Sequence, residues 1–440
     1  MDRGILSPLK KYISENHSIE DRSFTNIKES FLKSSQEIII NSRYTNDHIE
    51  SWKYTSLDHL LGIEFSNQLC NEDLDNPKLQ KIKDEIRPDS INLFFINGHF
   101  SSCLSSNGLI ESDAFFNQIN KENPNQEGYG CSFGRIVSPG SSVLSSLNLY
   151  LFKSAGLLKI KKEMGNININ IVSISNAKNN AIITHPRFQI ILEDGAYASI
   201  TERHFGISNE VYLTNPLCEI LLKDKAYLDH FCIIDQDPEA SHIGRAEISL
   251  SNNSVYNSFF MCLGGRLTRL ENYLHIKGNG ARANISGLYC LSRDQHVDIS
   301  SEVVHDTDSS FSNQNIRGLA KDNSRGIFQG KIKVNKHAIN TIASQFHKAI
   351  LLSGTPEINC KPELEIYTDN VQCSHGATTG EIDEDQLQDF LNIDYENQNS
   401  ETFDKVFSKV NNSFFINKAS KQNVYWQEYI MDCIKAQKRF

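Results

Sequence analysis

From Ile167 to about Gly376, short apolar runs alternate with small polar turns and almost no helical period is present. Alternation with a period of two marks strands that bury one face. Six stretches share one plan: ILEDGAYASI (191–200), LLKDKAYLDH (221–230), ISLSNNSVYN (248–257), HIKGNGARAN (275–284), GLAKDNSRGI (318–327) and IKVNKHAINT (332–341). In each, two apolar positions enter, a Gly/Asn/Asp/Lys turn follows, and a second short strand leaves. Equivalent turns recur at roughly 25 to 30 residues, occasionally about half that, the spacing of β units that bury their inward faces on one another. The pattern predicts a mainly β chain with a parallel β-helix (solenoid) core over residues 161–378.

The flanks read differently. Residues 1–160 form a helical and mixed region that opens on a polar, Lys/Glu/Ser-rich stretch. There Phe24, Ile27, Phe31 and Leu32 make one apolar stripe. A strand is expected at Ile91–Ile96, then a Gly/Ser/Pro-rich connection over 127–142. A helix is expected over 144–156, with Leu144, Leu147, Leu151 and Ala155 on one side. Residues 379–440 return to helix, with Asp383 and Gln386 forming a capping-box-like start. A second helix is expected over 424–438, whose stripe of Trp426, Tyr429, Ile430, Cys433 and Ile434 suits the protein's own core and a partner equally.

Composition narrows the function classes. Hydrophobic residues at 39% and charged ones at 22% describe an ordinary water-soluble chain, and the formal charge of -10 with scattered Lys and Arg argues against a nucleic-acid partner. No apolar run reaches the roughly 18 to 20 residues of a membrane span, and the N-terminal residues lack a signal core, so no membrane association and a cytoplasmic address are expected. The ten cysteines are far apart and include no Cys-x-x-Cys pair, which predicts reduced thiols and neither a closed zinc ribbon nor a ferredoxin-type cluster.

Four stretches carry candidate chemistry. In KPELEIYTDNVQCSHGATTG (361–380), Glu363 to Val371 reads as a short extended segment that ends on Cys373 and His375, which an extended chain sends to the same face. A sulfur and an imidazole together suit zinc, iron or an iron-sulfur fragment; by spacing alone, a buried thiol beside a hydrogen-bonded turn histidine stays open. His230 and Cys232 repeat that spacing inside a strand-like stretch and read as core packing. Gly278-Asn-Gly280-Ala-Arg-Ala283 has a loose nucleotide-binding pattern, but the residues after it do not open a helix, so a β-helix turn explains it better. No P-loop is present, so this chain itself binds no nucleotide that way. QHVDISSEVVHDTD (295–308) is dense in His, Asp and Glu; on an unbroken strand His296, Asp298, Ser300 and Glu302 share a face, the arrangement a β-helical polysaccharide-active enzyme would use.

Together with Glu50 and WKYTSL (52–57), LFFINGHF (93–100), His185-Pro-Arg187, Tyr212-Leu-Thr-Asn215, Gln295-His-Val-Asp298 and Arg325-Gly-Ile-Phe-Gln-Gly330, the 361–380 run resembles the SufB/SufD family of iron-sulfur cluster assembly proteins. The likeness runs in order from about residue 50 to about residue 390 and is closest to the SufD branch, since the SufB branch carries a more acidic version of CSHGAT and a cysteine where this chain has His347. The resemblance implies a β-helix flanked by helical ends and a noncatalytic scaffold that pairs with SufB. It also implies docking of a SufC ATPase on the C-terminal helical region, where residues after Leu391 depart from the family pattern. His375, with Cys373 as neighbour or second ligand, is implied to hold a transient iron-sulfur cluster or iron shared with SufB, and His347 is a weaker candidate. A purely structural β-helix, or a homodimer covering the same edge, remains open.

Overall fold

The computed structural model describes residues 9–15, 29–40, 50–66, 75–84, 86, 90–106, 116–120, 136–137 and 142–381, with 179 excepted. The C-terminal helices expected beyond residue 381 lie outside the described residues. Two sheets, of ten and eleven strands, face each other, and from Leu267 to Glu381 successive strands alternate between them. Each pair of strands makes one coil. Leu267 pairs in parallel with His296 and His296 with Arg325, each step 29 residues long. The six turn stretches are therefore real coil corners, and the half-period at 318–327 is the corner on the opposite side.

Register explains the core. In the eleven-stranded sheet Leu158, Ile190, Ile220, Ile248, Leu274, Val303 and Ile332 stack coil on coil as one aliphatic ladder. The first six are buried in the central apolar cluster and Ile332 in the smaller cluster at the last coils. β-branched and leucine side chains suit such a doubly flanked pleated surface. At two places a glycine lets an aromatic ring cover the neighbouring coil: a Cβ on Gly287 would sit 2.1 Å from the Phe260 ring, and one on Gly318 2.0 Å from Tyr289.

One corner repeats a single conformation. Gly195, Lys225, Asn253, Gly280, Ser309 and Asn340 all have φ between 54° and 68°. Successive corners are tied by backbone bonds such as Lys225 N–H to Asn252 O at 2.8 Å and Asn253 N–H to Asn279 O at 2.8 Å. Asn and Gly dominate because the left-handed region costs them least. The Gly278–Gly280 segment is such a corner, with Gly280 in the left-handed position.

The expected helix after the Gly/Ser/Pro-rich stretch spans Val143–Leu151 and is capped by Ser142, whose Oγ accepts the Ser145 N–H at 2.9 Å. It ends earlier than its apolar spacing suggests, because Ala155 and Gly156 belong to the strand Ser154–Ile160, which pairs with Arg187–Leu192. Its buried Leu144, Leu147 and Leu151 pack with Leu9, Tyr12, Leu57 and Leu60 against Ile183, Leu213, Ile243 and Leu267 of the coils. The strand Ile91–Ile96 appears where expected and pairs in parallel with Asn166–Ser175, so the solenoid begins before residue 160.

The segment around WKYTSL clamps the outer face of the eleven-stranded sheet. Arg187 pairs with Glu219, Arg245 with Glu271 at 2.9 Å, and Arg269 with Glu271 at 3.0 Å and with Asp298, all nearly excluded from water. The Trp52 ring lies 4.3 Å from the Arg269 guanidinium. Thr55 Oγ1 donates to Asp298 Oδ2 at 2.6 Å and lies 3.1 Å from His296 Nε2, while Gln329 Nε2 donates to Asp298 and to the Ser51 carbonyl. Burial alone would raise the Glu271 pKa, but Arg269 and Arg245 outweigh it and hold it low. Removing one partner of a buried ion pair strands the other, at about 3–5 kcal/mol, whereas losing a hydroxyl donor costs about 1 kcal/mol. Asp298→Ala is accordingly expected to lose about 3 kcal/mol and Thr55→Val about 1 kcal/mol in urea unfolding; equal midpoints for wild type and Asp298→Ala would show that the clamp contributes nothing.

Candidate functional site

The last coil consists of Glu357–Ile366 at the edge of one sheet and Val371–Glu381 at the edge of the other, each paired on one side among the described residues. The extended segment expected from Glu363 to Val371 is broken by a corner at 367–370. Cys373 and His375 therefore lie in the first half of the following strand, Val371–Glu381. The corner forms because Asn370 repeats the stacked turn below it: Asn340 N–H donates to Asn370 O at 2.7 Å and Asn370 Nδ2 to Asn340 Oδ1 at 2.7 Å.

Cys373 pairs in register with Ala343 and His375 with Gln345, both buried, so thiol and imidazole continue the sheet's inward row at its open end. Cys373 is half-buried beside Val371 and Leu364, and burial pushes its thiol pKa up. His375 is exposed. His347 sits one coil inward, opposite Ala377 in register. It is 2% exposed, its Nε2 lies 2.9 Å from Tyr289 Oη, and its ring stacks on Phe328 at 5.4 Å. Burial, then Arg317, push its pKa down to about 4. Its Nε2 is thus occupied inside the coil stack while His375 faces solvent. Cys360, which spacing did not single out, pairs in register with the buried Phe328 and brings a second inward thiol to the end coil; burial pushes it up to about 11. Its signal is alternation: Cys360, Pro362 and Leu364 occupy the inward positions of their strand.

The remaining candidates divide. Asp298 and His296 belong to the clamp, which removes them from any open groove. His230 and Cys232, read from sequence as core packing, meet Glu202 and His204 inside the solenoid. Register sets Cys232 beside Glu202, and the Glu202 carboxylate lies 3.1 Å from His230 Nε2 and 3.3 Å from His204 Nε2. Donor atoms of Glu202, His204 and Cys232 all lie within 4.8 Å of one another. Burial would raise the Glu202 pKa, yet the bonds to His204 and His230 hold it well below the carboxylate range, while burial and the Glu202 charge push Cys232 well up. The missed signal is a pairing of Glu202-x-His204 with His230-x-Cys232 at one coil's spacing.

A family model described as SUF system FeS cluster assembly, SufBD core domain, matches residues 173–388. The iron-sulfur cluster assembly protein SufD of Escherichia coli is 25% identical over 358 residues, covering 80% of this chain and 80% of that protein. A Synechocystis iron-sulfur cluster assembly SufBD family protein is 24% identical over 396 residues, covering 83% of this chain and 85% of its own. A chloroplastic Arabidopsis thaliana protein is 28% identical over 207 residues, 47% of this chain and 44% of that one. No helix among the described residues is long and apolar enough to cross a membrane.

The buried histidines set an acid limit. His305, hydrogen-bonded to Ser310 at 2.7 Å and Ser312 at 2.8 Å, and His347 each have a pKa pushed down to about 4 by burial. Unfolded histidine titrates near 6.5, so the unfolded chain takes up protons first. Their contribution is complete above about pH 6.5 and is lost as pH falls toward 4, by roughly 1 kcal/mol per group per pH unit. His347→Gln is expected to flatten the pH dependence of urea unfolding between pH 7 and 5; an unchanged slope would show that His347 titrates normally in the fold.

Proposed function

The chain belongs to the SufB/SufD family of iron-sulfur cluster assembly proteins, and from that premise we propose that it acts as a SufD-type noncatalytic scaffold. In this reading it pairs through its last coil with a SufB subunit, docks a SufC ATPase through another surface, and offers His375, with Cys373 beside it, to iron or a nascent cluster at the shared interface. One observation carries it. Of six exposed large apolar side chains among the described residues, five (Ile339, Ile342, Phe346, Ile366 and Tyr367) gather at the last two coils, beside the edge that bears Cys373 and His375. Exposed apolar patches and unpaired edge strands both favour a partner that extends the sheet.

The chemistry suits cargo that must leave. An exposed imidazole and a half-buried thiol on one row fill two positions of a metal or cluster, and the rest come from across the interface or from solvent. Such partial ligation favours release, where four thiolates from one chain would retain a cluster. Metal ligation needs the Cys373 thiolate, so binding releases a proton and weakens as pH falls. His347 serves this reading only as a buried support beneath the row.

The test is anaerobic reconstitution of the coexpressed complex with SufB and SufC, comparing wild type with His375→Ala by iron and sulfide content and visible absorption. The variant complex is expected to assemble and to lose cluster or iron. Unchanged content in an assembled complex would make His375 structural and leave a scaffold that never touches the metal. Phe346→Glu, placed in the apolar patch, is expected to abolish copurification with SufB; undiminished copurification would move the pairing surface elsewhere.

A further inference from the structure

We infer that the interior of the solenoid, several coils away from the open edge, holds a resident divalent transition metal, zinc or ferrous iron, bound by Glu202, His204 and Cys232 with His230 available as a fourth ligand. The four residues are staggered across two neighbouring coils: Cys232 lies opposite Glu202, with His204 two residues further along the strand Tyr197–Gly206 and His230 two residues earlier along Tyr227–Asp235, opposite Ile200. All are inward positions, on the same rows as Ala198, Ile200, Leu228 and Ile234 of the apolar core.

Their placement is costly without a ligand. Glu202, His204 and His230 are at most 5% exposed, and burying polar side chains in an apolar core is disfavoured unless every donor and acceptor is used. His204 Nδ1 has no hydrogen-bond partner although the ring is 2% exposed. The residues line a cavity of about 40 Å³ together with His242, Cys218 and Tyr256. A single water needs only about 10–15 Å³, so an ion and a water fit.

The donor set indicates the class of metal. One thiol, one or two imidazoles and one carboxylate match the borderline-soft first-row ions and exclude calcium and magnesium, which take oxygen. Charge balances as well: a dication with the Glu202 carboxylate and the Cys232 thiolate is neutral, the condition a low-dielectric interior requires. On binding, Cys232 gives up its proton to solvent and Glu202 exchanges its imidazole contact for the metal, with no change of oxidation state.

The proposal is independent of the edge reading, and the test separates them. The full-length chain carrying Cys360→Ser, Cys373→Ser and His375→Ala is stripped of metal and titrated with cobalt(II). One cobalt per chain is expected, with thiolate-to-cobalt charge-transfer absorption and the intense visible bands of a four-coordinate ion. X-ray absorption of that sample is expected to show one sulfur and otherwise nitrogen and oxygen neighbours, a readout that leaves the interior cluster unmutated. Adding Cys232→Ser removes the charge-transfer band, and Glu202→Gln weakens binding by about tenfold or more. No cobalt binding by the triple variant, cobalt without a sulfur neighbour, or an unchanged spectrum in Cys232→Ser would each overturn the inference. Metal lost with the edge substitutions and retained at Cys373 and His375 alone would assign all metal chemistry to the end coil.

Discussion

In-register parallel pairing between coils is the constraint on which everything else rests. Once Ile190, Ile220, Ile248, Leu274, Val303 and Ile332 stack in one line, every other residue is set beside its equivalent one coil away. Good positions then become good ladders, and bad ones are multiplied. Left-handed corners reinforce one another through backbone bonds, while rings as large as Phe260 and Tyr289 fit only because the next coil offers glycine. The same rule leaves a final coil that, among the described residues, pairs on one side only. A solenoid therefore carries a reactive edge by construction, and this chain sets Cys373 and His375 on it.

Charge is handled in two ways. On the outer face of the eleven-stranded sheet, Arg187, Arg245 and Arg269 alternate with Glu219, Glu271 and Asp298, and the Trp52–Leu57 segment closes over part of that ladder. Here every charge has a counter-charge, and the gain is as much in position as in stability, because buried ion pairs seldom exceed their desolvation cost by much. Residues almost 250 apart thereby fix where the N-terminal segment sits. The interior cluster is the opposite case: Glu202 is buried among imidazoles and thiols, its hydrogen bonds among the described residues go to His204 and His230, and its polar atoms lean on one another.

The repeat made the solenoid legible, since alternation and corner composition are local properties that stacking merely copies. The strand Ile91–Ile96 and the same-face placement of Cys373 and His375 follow from the same two-residue period. Boundaries were less legible. Ala155 fits a helical stripe and a strand equally well, and only its pairing with Arg187 decides. The clamp was visible as motifs but not as a contact, because nothing local links Thr55 to Asp298. The interior cluster was hidden for a related reason: His230 and Cys232 look like packing until the coil length brings Glu202 and His204 beside them.

Position along the solenoid then determines what each thiol environment can do. On the proposed reading, a ligand row on the terminal coil has a paired strand on one side only among the described residues, so an ion or cluster held there would be open to a second chain and to water, and exchange would need no movement of the fold. The interior cluster is closed above and below by paired strands, and an ion bound there would leave only through the cavity or after coils separate. Opening a paired strand breaks a run of backbone hydrogen bonds together with its core contacts, so such events are rare on the scale of edge exchange. On the two proposed readings, sulfur and imidazole two residues apart would hold metal transiently at Cys373 and His375, while Glu202, His204 and Cys232 would hold it persistently inside. The difference lies in the number of coils that flank each pair rather than in the residues themselves.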